Sequence, residues 1–230
     1  MKENQPSVDY SKESLEPLFN EKMLEWTVPR LQEYNRIMAY YRCAIMEIET
    51  KFNVLNEEFS LRFNRNPISS IKSRLKSPVS IRGKLERHGM PFTLEAVENT
   101  LNDVAGVRVI CPFTDDVYML ADALLGQDDI ALICRKDYIQ NPKPNGYRCL
   151  HLIVTVPIFL EHEKRIMKVE IQLRTISMDC WASLEHQLRY KNNVEFTADM
   201  TRELLICADM SAELDRRMDA LREAVHKREQ

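Results

Sequence analysis

Glycine is scarce in this chain, with five residues among 230. Neither G-x-G-x-x-G nor G-x-x-x-x-G-K-[ST] occurs, so no Rossmann turn or P-loop wraps backbone amides around a phosphate. Any phosphate site must be built from side chains. The six cysteines, at positions 43, 111, 134, 149, 180 and 207, form no Cys-x-x-Cys pair and no His/Cys cluster. That spacing argues against a structural zinc site and predicts buried thiols of a reducing compartment. No signal-peptide pattern opens the chain. The longest uncharged apolar run, Cys149–Leu160, falls well short of the ~20 residues of a membrane-spanning helix. The expectation is a soluble, cytoplasmic protein with no membrane partner.

What is present is enough to fold: 44% hydrophobic and 29% charged residues support one large domain or two small ones with a real core. The net charge of −3 conceals an asymmetry. Residues 61–87 carry Arg62, Arg65, Lys72, Arg74, Lys76, Arg82, Lys84 and Arg87 against Glu86 alone, which is +7 and leaves −10 elsewhere. A local anion site fits this better than a whole-surface nucleic-acid binder.

Residues 1–10 are polar and expected to fray, with a helical stretch to about Trp26. From Pro29, a good first-turn residue, Leu31, Tyr34, Met38, Tyr41, Ile45, Ile48 and Phe52 recur at alternating spacings of 3 and 4, predicting a helix with one apolar stripe. Thr197 is placed to cap a second long helix with its own stripe, Met200, Leu204, Cys207, Ser211, Leu214, Met218, Leu221 and Val225. Each stripe either covers the domain's own sheet or makes an oligomer contact, and the length of the C-terminal helix favours the latter there. Between them, Ser77-Pro78 starts a helix through Arg87 that His88-Gly89 ends, Thr93 starts a short helix, and Thr114 caps a helix Asp115–Leu124. Gly106–Phe113, Ile130–Cys134, Cys149–Pro157 and Ile166–Leu173 read as strands, residues 135–148 as a loop with two prolines and Asn-Gly, and Thr175–Lys191 as a helix. Without strict βαβ regularity, the fold class is α+β: a mixed sheet of about five strands flanked by helices. The divisions expected are a helical region 1–59, a core 60–195 and a long C-terminal helix within 196–230.

In Ile166–Leu173 alternation sets Val169, Ile171 and Leu173 on one face and Lys168, Glu170 and Gln172 on the other. Asp103 lies just before the strand carrying Arg108. Two carboxylates from neighbouring strands, with no His or Cys ligand near, suit a hard ion such as Mg²⁺ that also bridges to phosphates. The alternative is a sheet-face ion pair of Glu170 with Arg108 or Arg174. Ser80, Lys84 and Arg87 share a helix face, and Arg74 and Lys76 alternate in the extended approach, so together they suit a triphosphate; a solvated charged face is the alternative. Lys136, Lys143 and Arg148 are basic, and Tyr147 after Asn145-Gly146 suits a stacking platform or a ring packed on the loop base. His151 shares parity with Ile153 and faces the same cleft or serves the core.

Four segments in order, RLKSPVSIRGKLER (74–87), NDVAGVRVICPF (102–113), KDYIQNPKPNGYRCLHLIV (136–154) and VEIQLRTISMDCWASLEHQLRYK (169–191), resemble the small alarmone synthetases, single-domain relatives of the RelA/SpoT synthetases. The resemblance covers about residues 60–195 and implies the nucleotidyltransferase-like RelA/SpoT synthetase fold. It also implies a GTP pyrophosphokinase that moves the β,γ-diphosphate of ATP to the 3′-hydroxyl of GTP or GDP, giving (p)ppGpp and AMP in the stringent response. By that likeness Asp103 and Glu170 bind Mg²⁺, Glu170 also helping to deprotonate the hydroxyl. Arg74 and Arg108 sandwich adenine, while Lys76, Ser80, Lys84 and Arg87 contact the ATP phosphates. Tyr147 stacks on guanine in its Asn145-Gly146 turn, with Lys136, Lys143 and His151 around the acceptor. Asp179 is a candidate to accept guanine N1–H and N2–H₂. A homotetramer is implied as well.

No His-Asp doublet occurs, because the five histidines precede Gly, Leu, Glu, Gln and Lys; the expectation is synthesis without hydrolysis and without ribosome dependence. Rival readings are a nucleotidyltransferase, although Gly-Ser and a close Asp-x-Asp are missing, an adenine-acceptor synthetase giving pApp-type products, and a non-catalytic RNA-binding module that would leave both acids unexplained. GTP against GDP preference, and regulation by (p)ppGpp or single-stranded RNA, are left open.

Overall fold

The computed structural model describes residues 21–191 and 196–229. The expectation for residues 1–10 lies outside them. Among the described residues, α1 (Glu21–Phe63) leads into β1 (Ser70–Leu75), α2 (Pro78–Arg87), α3 (Leu94–Thr100), β2 (Ala105–Cys111) and α4 (Thr114–Leu125). There follow β3 (Ala131–Asp137), β4 (Leu150–Phe159), β5 (Lys164–Thr175), α5 (Ile176–Lys191) and α6 (Ala198–Glu229). The sheet runs β1-β2-β5-β4-β3, with β2 and β5 parallel and every other pair antiparallel. The mixed α+β class is therefore as expected.

Period-two alternation splits this sheet into a dry face and a polar face. Val107 and Val109 of β2, Val169, Ile171 and Leu173 of β5, and Leu150, Leu152, Val154 and Val156 of β4 are all buried. Against them pack Tyr41, Ile45, Ile48 and Phe52 of α1 and Val117, Leu120 and Leu124 of α4, in one continuous core. Each fully buried Ile, Leu or Phe contributes about 1.5–3 kcal/mol, so the first apolar stripe covers the domain's own sheet. Pro29 lies inside α1 and not at its start; with no backbone N–H, it cannot give its hydrogen bond to the helix ladder.

The helix-start signals hold at Ser77, whose side chain accepts from the Ser80 amide, at Thr93, which accepts from Ala96, and at Thr197, which accepts from Met200. Thr114 differs. It is the first residue of α4, Phe113 occupies the cap without a side-chain bond, and the Thr114 amide donates to Asp219 Oδ1 of α6 at 3.3 Å. The cap comes from a helix a hundred residues away, which local sequence does not reveal. The sequence marks β1 only as an extended approach and starts a loop at residue 135, whereas the structure pairs Ser70–Leu75 as a strand and carries β3 on to Asp137.

α6 docks with its polar side. Ala208 and Asp215 are buried, Asp215 accepts the Thr175 hydroxyl at 2.7 Å, Asp219 caps α4, and Arg222 pairs with Asp115. Its apolar stripe points away: Leu214, Met218, Leu221 and Val225 are each about half exposed.

Candidate active site

Backbone register sets the candidate residues in rows across the polar face. Arg74, Gly106, Glu170, Ile153 and Cys134 are successive cross-strand partners from β1 to β3. The next row is Lys72, Arg108, Gln172, His151 and Lys136. Paired residues share a face, so one row carries four basic side chains around a glutamine, and Glu170 sits on the central strand. A cleft lined by Lys72, Ser73, Arg74, Gly106, Val107, Arg108, Glu170 and Gln172 opens on the β1–β2 side. Gly106 leaves the space over which Arg74 lies, since a Cβ there would meet Arg74 Cγ at 3.7 Å.

Just before β2, Asp103 Oδ2 accepts from Lys76 at 2.9 Å and from Lys84 at 2.8 Å. Its Oδ1 is buried without a hydrogen-bond partner. Burial raises the Asp103 pKa, but the two ammonium groups outweigh it and hold the carboxyl below its ordinary value. Ser80, expected to share this face, exchanges a hydroxyl bond with Ser77, and Arg87 donates to the Gly83 carbonyl, so both sit on α2 beside the cluster without joining it.

Glu170 is bonded neither to Arg108 nor to Arg174. Its Oε1 lies 3.4 Å from His151 Nδ1 and its Oε2 accepts from Gln172 at 3.1 Å. Burial raises its pKa and the charge of Asp103 pushes the same way, while His151 and Gln172 lower it, and the net shift is downward. The two carboxylates thus sense each other. For His151, burial disfavours the charged ring, yet Cys149 and the Glu170 carboxylate prevail and raise it to about 9.

On the β4–β3 side, Tyr147 Oη lies 2.8 Å from His151 Nε2 and accepts from Arg174 at 2.6 Å. The Lys143 ammonium stands 4.8 Å from the Tyr147 ring centroid and 4.7 Å from that of Tyr138. Asn145 accepts the Tyr147 amide at 3.2 Å through its side chain, an Asx turn that sets the tyrosine. Lys136 is exposed, opposite His151. Asp179, in the first turn of α5, is the node between the two sides: Oδ1 accepts from Arg108 at 3.2 Å and Arg174 at 3.3 Å, and Oδ2 from Lys72 at 3.1 Å.

The model for the region found in RelA/SpoT proteins matches residues 73–195, over half of the chain. The chain belongs to the RelA/SpoT family. It is 40% identical over 195 residues to the GTP pyrophosphokinase YwaC of Bacillus subtilis, spanning 85% of this chain and 93% of that protein. The crystal structure of small alarmone synthetase 2 from Bacillus subtilis, also 40% identical, superposes with a TM-score of 0.76 over 84% of this chain and 99% of the other. Small alarmone synthetase 1 of the same organism, bound to its product pppGpp, matches with a TM-score of 0.76 at 30% identity, over 84% and 98% of the two chains.

The sequence gives no site role to four residues of this cleft, although Lys72 lies in the basic run, Gln172 shares the face of Glu170 and Arg174 is named only as an ion-pair partner; Trp181 is the fourth. Gln172 accepts from Arg108 and Arg174 while donating to Glu170; Lys72 and Arg174 hold Asp179; Trp181 packs with Tyr147. The parity of Gln172 and Arg174 with Glu170 was the available signal. No group of three or more His, Cys, Asp or Glu side chains converges among the described residues. Two carboxylates, one with an unpartnered buried oxygen, fit Mg²⁺, which keeps several waters and takes its remaining ligands from phosphates. Among the described residues no helix is long and apolar enough to cross a membrane.

Proposed function

We propose that this chain is a GTP pyrophosphokinase that transfers the β,γ-diphosphate of ATP to the 3′-hydroxyl of GTP or GDP, forming pppGpp or ppGpp and releasing AMP. Family membership, the naming of YwaC and the pppGpp bound to small alarmone synthetase 1 support it. The observation that carries it is the order of chemistry across the sheet, β1-β2-β5-β4-β3. Residues suited to a donor nucleotide lie on β1, β2 and α2, those suited to an acceptor on β4, β3 and their loop, and Glu170 stands between. At a strand spacing of about 4.8 Å the five strands span roughly 19 Å, room for two nucleotides side by side.

In this reading Arg74 and Arg108 hold adenine, and Lys76, Ser80, Lys84 and Arg87 hold the ATP phosphates. Asp103 and Glu170 would hold Mg²⁺, which neutralises phosphate charge when bound. Tyr147 stacks on guanine within the turn of Asn145, with Lys136, Lys143 and His151 about the acceptor phosphates. The acceptor 3′-oxygen attacks the β-phosphorus, the bond from that phosphorus to the α,β-bridging oxygen breaks, and AMP departs. Held below its ordinary pKa, Glu170 is in its accepting form at neutral pH and takes the hydroxyl proton as the P–O bond forms. The protein supplies position and charge, without a glycine-rich loop.

Asp179 reads guanine N1–H and N2–H₂ only if an arriving base displaces one of its three cations. Residues 60–195 carry the chemistry, with the long helices as scaffold, and the exposed stripe of α6, not the buried stripe of α1, is the surface for a homotetramer. Synthesis without hydrolysis in the cytoplasm completes the reading.

The test is incubation with ATP, Mg²⁺ and GTP or GDP, with products resolved by mass. AMP with a guanine nucleotide heavier by two phosphates supports it. Pyrophosphate release with a nucleoside monophosphate adduct overturns it, and Glu170→Gln should lower kcat by about 10²–10⁴-fold.

A further inference from the structure

The loop that carries Tyr147 is seated on α6, a helix beyond the matched residues 73–195. Gly146 has φ +88, in the left-handed region. A Cβ at that position would overlap Ala208 Cβ and stand 3.2 Å from Leu205 Cδ1, both of α6, and 3.8 Å from the Trp181 ring. The main chain just before Tyr147 therefore approaches α6 as closely as a missing side chain permits.

The flanking residues are held as well. Tyr147 packs against Trp181, Ala182 and Ala208. Trp181 donates its indole N–H to the Leu204 carbonyl of α6 at 2.9 Å, which pins the ring between the helix and the tyrosine. Arg148 pairs with Asp209 of α6 at 3.5 Å. Ala208 is only 2% exposed, and its small side chain sets how near the loop can come. On the opposite side the Tyr147 hydroxyl is tied to Arg174 and His151, so both ends of the ring are placed.

We infer that Gly146, Ala208 and Trp181 form a latch through which α6 positions Tyr147 for the acceptor base, making Ala208 and Trp181 positioning residues for the acceptor although neither touches it. This rests on the reading that Tyr147 stacks on guanine. The latch acts on one substrate only, because Lys76, Lys84 and Asp103 lie on other elements at the β1–β2 side.

The experiment compares full-length wild type, Ala208→Leu, Trp181→Phe and Tyr147→Ala, with separate KM values for GTP and ATP, kcat, and GTP binding without ATP. Ala208→Leu wedges the loop off the helix, and Trp181→Phe removes only the N–H and part of the ring. The latch predicts that Ala208→Leu raises the GTP KM about tenfold or more, with the ATP KM within about twofold of wild type. Trp181→Phe should shift it in the same direction by less, and Tyr147→Ala by at least as much as Ala208→Leu. If Tyr147→Ala raises the GTP KM while Trp181→Phe, and Ala208→Leu where it folds, do not, the latch is refuted and the stacking reading stands. An unchanged GTP KM in Tyr147→Ala refutes the stacking reading and the latch with it. Equal losses for both substrates in the latch variants would mean a general structural role and also refute it.

Discussion

Lys84 reaches from the last turn of α2 to within 2.8 Å of Asp103 Oδ2, while Asp103 Oδ1 stays buried and unpartnered. The carboxylate is thus paired with two ammonium groups, those of Lys76 and Lys84, and that of Lys84 is also suited to phosphate. If the proposed nucleotide and Mg²⁺ bind here, Lys84 would be free to pair with phosphate while Asp103 would hold the ion. Lys84→Met should raise the ATP KM by about 10-fold or more, a charge-assisted contact being worth about 1.5–3 kcal/mol. The GTP KM should stay near wild type. Initial rates against each nucleotide decide this, and an unchanged ATP KM would remove Lys84 from the donor site.

Asp179 holds Lys72, Arg108 and Arg174 together, and Arg174 is 4% exposed. If it also reads guanine, Asp179→Ala should erase the preference for GTP over ATP as acceptor, a change of about 10²-fold. Competition between the two acceptors measures it. A lowered Tm with the preference intact would confine Asp179 to holding the three cations.

Arg65 binds Asp116 through two hydrogen bonds of 2.6 and 2.8 Å, tying the segment after α1 to the first turn of α4. The Asp116 side chain is 1% exposed. Arg65→Ala strands that charge in the interior and should cost about 3 kcal/mol, or on the order of 10 °C in Tm. Adding Asp116→Asn should recover part of the loss. Thermal melts of the single and double variants check both.

Asp215 is buried between α6 and the start of α5; burial raises its pKa, the Thr175 and Ser177 hydroxyls lower it, and Asp219 raises it, with a net upward shift. For an acid raised in the folded state, the stabilising contribution is present below the unfolded pKa and fades as pH climbs through the folded value. Asp215→Asn should therefore match or exceed wild type in Tm at pH 7–8, by roughly 1–3 °C, and the gap should close or reverse on acidification towards about pH 3–4. A gap that widens with acid would contradict the sign.

Much of this architecture was legible because its signals are local. Alternation in Val169–Arg174 and in Leu150–Val156 assigned β5, β4 and their polar face, and Ser77, Thr93 and Thr197 marked helix starts that the fold keeps. The same parity brought Glu170 towards the cleft and His151 beside it. What the sequence hid depends on long-range pairing. β1 is a short edge strand in which Ile71 and Leu75 touch the core with Ser73 between them, while Lys72 and Arg74 are exposed, so its apolar alternation is too weak to mark a strand. Thr114 is capped from Asp219, and Gln172 and Arg174 become site residues only because Arg108 and Asp179 arrive from other elements. The stripe of α6 predicts a buried face, whereas the domain takes the opposite side of that helix, where Ala208, Asp215 and Asp219 have specific partners. Helical periodicity reports that a face needs cover without saying which surface provides it.

The most direct measurement is transfer from ATP labelled in the β and γ phosphates to GTP and, in parallel, to 3′-deoxy-GTP. Label should move onto GTP with one AMP released per product, and none should move onto the 3′-deoxy nucleotide. Label on the 3′-deoxy acceptor, or release of labelled pyrophosphate in place of transfer, would contradict a 3′-hydroxyl acceptor served by Glu170.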